Sequence, residues 1–110
     1  MVHRYIVLDG EIYGTGIRDQ YTGFFDPKEL PLSDVLVQKI STWKDKCHSI
    51  HGIISDWPEA TFHKLDLEGL EILKNLRDEL GQQFKIRYVS FLTGKEIILK
   101  PNGEYVMPQN

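Results

Sequence analysis

The chain carries one cysteine, Cys47, among its 110 residues. A lone thiol cannot close an intramolecular disulfide and excludes a four-cysteine zinc site, so a reducing compartment is the natural setting. Long apolar runs are missing as well. Nothing approaches the roughly 18 consecutive apolar residues of a membrane-spanning helix, and the first residues offer too short an apolar run for a signal peptide. The sequence therefore predicts a soluble, cytoplasmic protein. Positive charge is not in excess either: the net charge is -3. Broad affinity for nucleic acid needs clustered Lys and Arg to displace phosphate counterions, so direct nucleic-acid binding is not expected. Repeats, linkers and low-complexity tracts are also missing.

What is present is 41% hydrophobic and 26% charged, ordinary for a globular chain long enough to bury a core without staples. We expect one domain over 1–110. Its acidity is unevenly placed. The first 34 residues hold Asp9, Glu11, Asp19, Asp26, Glu29 and Asp34 against Arg4, Arg18 and Lys28, which accounts for the whole net charge. In the run from Asp9 to Pro31, Tyr13, Tyr21, Phe24 and Phe25 lie among Gly10, Gly14, Gly16 and Gly23. Such a run reads as an exposed binding loop, because aromatic rings anchor interfaces while carboxylates steer a basic partner. The candidate contact residues are Asp9, Glu11, Tyr13, Arg18, Asp19, Tyr21, Phe25, Asp26 and Glu29. Folding back of the same aromatics to close the core is the competing reading.

Periodicity and turn chemistry predict an α+β fold, a mainly antiparallel sheet with two principal helices on one face and a C-terminal β-meander. His3 to Leu8 reads as a strand ending at the hairpin dipeptide Asp9-Gly10, with Glu11 to Tyr13 returning. Asp26-Pro27-Lys28-Glu29 reads as a capped helical turn, and Ser33 caps a helix whose apolar face is Leu36, Ile40, Trp43 and Cys47, with Val35 and Val37 beside it. Gly52 to Pro58, carrying Ile53 and Ile54, reads as a connection, and Ala60 to Leu65 as a short strand. Asp66 then caps a second helix with the stripe Leu67, Leu70, Leu73, Leu76 and Leu80, widened by Ile72. Its charged residues Glu71, Lys74, Arg77 and Asp78 lie off that stripe, and Gly81 ends it. Three strands follow: Phe84 to Leu92, Glu96 to Lys100 and Glu104 to Met107.

Searches for chemistry give weak candidates. Cys47, His48, His51 and His63 are zinc-type ligands in poor spacing, since adjacent residues diverge on a helix. His48, His51 or His63 with Asp56, Glu59 or Lys64 would permit acid–base chemistry, as any small domain with four histidines does. Gly14-Thr15-Gly16-Ile17-Arg18-Asp19 places a carboxylate where a dinucleotide loop needs glycine. A Walker loop and a serine elbow are both missing. Lys85, Arg87, Lys95 and Lys100 around Tyr88 and Phe91 would make a stacking platform for single strands, or simply the wet face of a sheet. No cofactor or metal is implied.

In size, acidity, α+β character and lack of catalytic machinery the chain resembles bacterial toxin immunity proteins, such as those paired with contact-dependent growth-inhibition toxins. The resemblance implies a protein-binding inhibitor, not an enzyme, with a basic toxin domain as partner. On that reading Asp9, Glu11, Asp19, Asp26 and Glu29 present negative charge where a nuclease toxin expects phosphate, and Tyr13, Tyr21 and Phe25 supply anchors. The alternatives are a small hydrolytic or RNA-processing enzyme using the His48, His51 and His63 region, and an adaptor subunit of a larger assembly.

Overall fold

The computed structural model describes residues 4–51 and 59–106. The pattern that organises it is the alternation in strand β4 (Lys85–Val89), where Ile86 and Tyr88 are buried and Lys85 faces solvent. Strand β1 (Tyr5–Leu8) lies beside it in parallel, Ile6 opposite Ile86 and Leu8 opposite Tyr88, so both strands turn the same apolar parity inward. Strands β2 (Ile17–Asp19) and β3 (Gly23–Phe24) continue the sheet beyond β1. Strands β5 (Glu96–Leu99) and β6 (Tyr105–Val106) continue it beyond β4. The order is β3-β2-β1-β4-β5-β6, antiparallel at every junction except the central one. That parallel junction needs a long crossover, which helices α1 (Asp34–His51) and α2 (Glu59–Leu80) supply on one face of the sheet. The expected α+β architecture and the C-terminal meander are both observed; the expected strand end at Met107 lies outside the described residues.

Local chemistry explains where the helices begin. Asp26 Oδ1 accepts from the Lys28 N–H at 2.9 Å and Glu29 Oε2 from the Asp26 N–H at 3.2 Å. This reciprocal capping box, with Pro27 at the first position, forms the 3₁₀ turn Pro27–Glu29. Ser33 Oγ accepts from the Leu36 N–H at 3.2 Å and starts α1, whose face of Leu36, Ile40, Trp43 and Cys47 is fully inward. Val35 points away and is 79% exposed.

The second helix begins earlier than expected. Residues 60–65, read from sequence as a strand, are helical, and the buried series Leu65, Gly69, Ile72, Leu73 and Leu76 starts at the last of them and keeps one helical period. Asp66 is consequently not a cap but an interior helical residue, buried against the sheet. Leu67, expected on the apolar stripe, is half-exposed instead. Gly81 closes the helix as expected, with φ +86° and its N–H donating to the Arg77 carbonyl at 2.9 Å. Among the described residues no helix is long and apolar enough to cross a membrane. The predicted connection from Gly52 to Pro58 lies outside the described residues.

Two buried polar groups tie helix to sheet. Asp66 accepts from Tyr88 Oη at 2.6 Å, Ser90 Oγ at 2.6 Å, Phe91 N at 2.8 Å and Leu92 N at 3.3 Å. One carboxylate thus holds the end of β4 and the turn after it, while Trp43 Nε1, beside the Tyr88 ring, donates to the Leu65 carbonyl at 3.1 Å. Arg77, expected among the surface charges of α2, is buried. Its guanidinium donates to the carbonyls of Gly81, Phe84 and Leu99, each at 2.8 Å, joining the helix end to β5. These bonds offset the burial of a charge that has no ion-pair partner among the described residues, while the Nε of Arg77 is buried without a hydrogen-bond partner there.

Candidate partner-binding surface

The acidic, aromatic segment is built around two hairpin loops at opposite ends of the sheet. The first joins β1 to β2 and is closed by the Asp9 N–H donating to the Gly16 carbonyl at 2.9 Å. The sequence suggested a return strand at Glu11 to Tyr13; the return begins at Ile17. Between β1 and β2, Gly10 is packed tightly, since an added Cβ would fall 2.6 Å from Cys47 Sγ and 2.8 Å from the Phe91 ring. The chain runs over α1 there instead of doubling back.

Several bonds fix this loop. Asp9 Oδ1 accepts from the Glu11 N–H at 3.0 Å, and Asp9 Oδ2 pairs with Arg18 Nε at 3.0 Å. The Gly14 N–H donates to the Glu11 carbonyl at 3.1 Å, making a β-turn of Glu11, Ile12, Tyr13 and Gly14. The same carbonyl lies 3.0 Å from His48 Nε2 on α1 and can only accept, which places a proton on that nitrogen. Thr15 Oγ1 reaches the Phe25 carbonyl at 2.6 Å, and the Phe24 ring covers Gly14. At the tip of this held loop Tyr13 has φ +72° and is 94% exposed.

The second loop joins β2 to β3. Asp19 is buried, and its Oδ1 accepts from the Tyr21 and Thr22 N–H groups at 2.8 and 3.2 Å, turning the chain. Tyr21 is exposed and stacks edge-on against Tyr5, ring centroids 5.2 Å apart. Because β2 separates the loops, Tyr13 and Tyr21 stand more than roughly 10 Å apart along the strand direction. The structure therefore groups Asp9, Glu11, Tyr13 and Arg18 at one end and Asp19 and Tyr21 at the other. Asp26 and Glu29 spend their carboxylates on the 3₁₀ cap, and Phe25 packs in the core. Tyr5, not singled out from sequence, and Phe24, named in the aromatic run but not among the contact residues, are partly exposed beside these loops.

On the sheet face away from the helices, register aligns Arg18, Val7, Arg87 and Ile98 in one row. Arg18 reaches Asp9, and Arg87 reaches Glu96 at 2.7 Å, both toward the Tyr13 end. Val7 between them is fully buried, which fits arginine stems lying over it. Beside the Glu11–Gly14 turn is a cleft of about 310 Å³ lined by Asp9, Glu11, Val89, Ser90, Phe91 and Gly94.

Among the described residues the other candidates do not assemble. Burial, with the nearby Glu68, Asp66 and Asp9 charges, pushes the Cys47 thiol far up, so it stays protonated in the core. It serves neither as nucleophile nor as ready metal ligand. His48 faces the Glu11 carbonyl and His63 is exposed on α2, while the His51 side chain and Asp56 lie outside the described residues. Among the described residues no group of His, Cys, Asp and Glu is placed to hold a metal ion. The stacking platform loses Tyr88, which is in the core, and Phe91, which packs edge-on to Trp43 at 6.3 Å.

No curated protein and no solved structure matches the chain. A family model does: the one described as Serratia CdiI immunity protein-like matches residues 9–91, from the start of the first hairpin loop to the turn after β4. With that match over most of its length, the chain belongs to the Serratia CdiI immunity protein-like family and is an immunity protein of the contact-dependent growth-inhibition type.

Proposed function

We propose that the protein neutralises its cognate toxin, a nuclease, in the cytoplasm by covering a basic active site with the surface formed by the two hairpin loops between Asp9 and Glu29. The observation that carries this reading is the exposure of Tyr13 and Tyr21 on loops tied down by Asp9 and Asp19. Aromatic rings on rigid supports bind at low entropic cost. Glu11, exposed and without an ion pair among the described residues, adds charge that draws in a basic surface. The site-facing residues are Glu11, Tyr13 and Tyr21, with Asp9, Arg18, Asp19, Phe25, Asp26 and Glu29 holding them in place.

The test is a cleavage assay with the purified toxin domain and a nucleic-acid substrate, titrated with the immunity protein at several salt concentrations. Occlusion predicts stoichiometric inhibition, exclusion of substrate from the complex, and association that slows as salt rises. A toxin that still binds substrate when saturated with the immunity protein would refute occlusion, and a salt-independent association rate would refute steering.

A further inference from the structure

The backbone of Tyr13 is the least expected in the molecule. It is the single non-glycine residue with positive φ among the described residues, and it is aromatic. With a positive φ only at the third position, the Glu11–Gly14 turn is of type II, the type that calls for glycine there. A left-handed conformation sets Cβ against the following carbonyl, a cost that persists only where the surroundings over-determine it. Here they do: Asp9, His48 and Phe24 hold the turn from three sides. The ring recovers nothing inside the protein, since it is 94% exposed. Glycine would serve the fold better.

We propose that Tyr13 is a strained, preorganised anchor that enters an apolar pocket of the toxin, while a basic side chain on that pocket's rim enters the adjacent cleft of Asp9 and Glu11. This assignment rests on the inhibitor reading and names its central contact. The charge of the cleft argues for the partner's chemistry: both titratable residues lining it are acidic, and although Asp9 is paired with Arg18, Glu11 is exposed and makes no ion pair among the described residues. The rigid turn argues for a fitted pocket, because an ordered ring loses little freedom on binding.

The experiment compares Tyr13→Gly and Tyr13→Ala in two measurements, thermal unfolding of the free immunity protein and dissociation from the purified toxin domain. Tyr13→Gly relieves the strain and raises the unfolding midpoint by about 2–5 °C, whereas Tyr13→Ala keeps the strained geometry and gives no such rise. Both variants dissociate about tenfold faster or more, as expected of a truncated aromatic hot spot. Glu11→Gln slows association and leaves dissociation within about twofold. A Tyr13→Gly protein that binds like the parent, or that is less stable than the parent, would overturn the proposal. Dissociation is read from binding alone, so a complex that forms but fails to block cleavage would sink the occlusion reading and leave this one standing.

Discussion

Replacing Gly69 by alanine is the sharpest check on how α2 sits on the sheet. In an exposed helix interior the change stabilises, by about 1 kcal/mol. In this protein a Cβ at position 69 would lie 2.4 Å from Tyr88 Cε1, 2.6 Å from Cζ and 2.8 Å from the hydroxyl. Tyr88 has little room to yield, being fully buried, beside Trp43 and bonded to Asp66 at 2.6 Å. Overpacking of this kind costs about 1–3 kcal/mol, and straining or losing a hydrogen bond to a carboxylate about 1.5–3 kcal/mol more. The propensity gain is outweighed, leaving a net loss of about 3 kcal/mol. With unfolding entropy of about 2.1 cal/mol/K per residue, that loss lowers the thermal midpoint by about 13 °C. The assay is calorimetric or dichroic melting of Gly69→Ala alone and in a Tyr88→Leu background. Without the ring the added methyl has no close neighbour at those atoms, so the same substitution should become neutral or stabilising there. A stabilised single variant, or an equal cost in both backgrounds, would refute this account of the helix–sheet contact.

Two further outcomes follow from the buried polar groups. Asp66→Asn leaves one acceptor oxygen for four donors and turns an amide N–H₂ toward some of them. Its expected cost is on the order of 3 kcal/mol, read from the urea midpoint, and a loss under about 1 kcal/mol would mean the clamp matters little. Alkaline stability is the second. Burial, aided by the bond to Asp66, raises the Tyr88 hydroxyl far above its ordinary value, as burial raises the Cys47 thiol. The folded protein keeps both protons where the unfolded chain releases them, so it binds more protons and loses stability as pH rises. The loss should begin near about pH 9 with the thiol and steepen past about pH 10 with the phenol. Cys47→Ala should remove the first part of the slope; a urea midpoint unchanged between neutral pH and about pH 11 would contradict the assignment.

Much of this fold could be read from the chain because its signals are local. The capping box at Asp26 and Glu29, the Ser33 cap, the inward stripe of Leu36, Ile40, Trp43 and Cys47, and the Gly81 stop all act within a few residues of themselves. What escaped was set by distant partners. The β1–β4 pairing joins segments about 80 residues apart, and nothing in Tyr5 to Leu8 announces a parallel neighbour. Asp66 looked like a cap because its acceptors' partners lie 22 to 26 residues onward. Residues 60–65 could have been read correctly, since Leu65 stands one helical turn before Gly69 and two before Ile72 and Leu73. The sequence placed the acidic aromatic segment in a single loop and gave no sign of its division between two ends of the sheet. Nor could it show the left-handed backbone of Tyr13, because such positions are normally betrayed by glycine or asparagine.

The buried guanidinium of Arg77 bears on how the protein is made. It draws its acceptors from just past the end of α2 and from the carbonyl of Leu99. A nascent chain that has emerged only as far as β4 therefore carries a positive charge with an incomplete set of partners at the base of its longest helix. Closure of that site waits for β5. Truncation ahead of β5 would therefore leave α2 ending on a guanidinium short of one carbonyl acceptor.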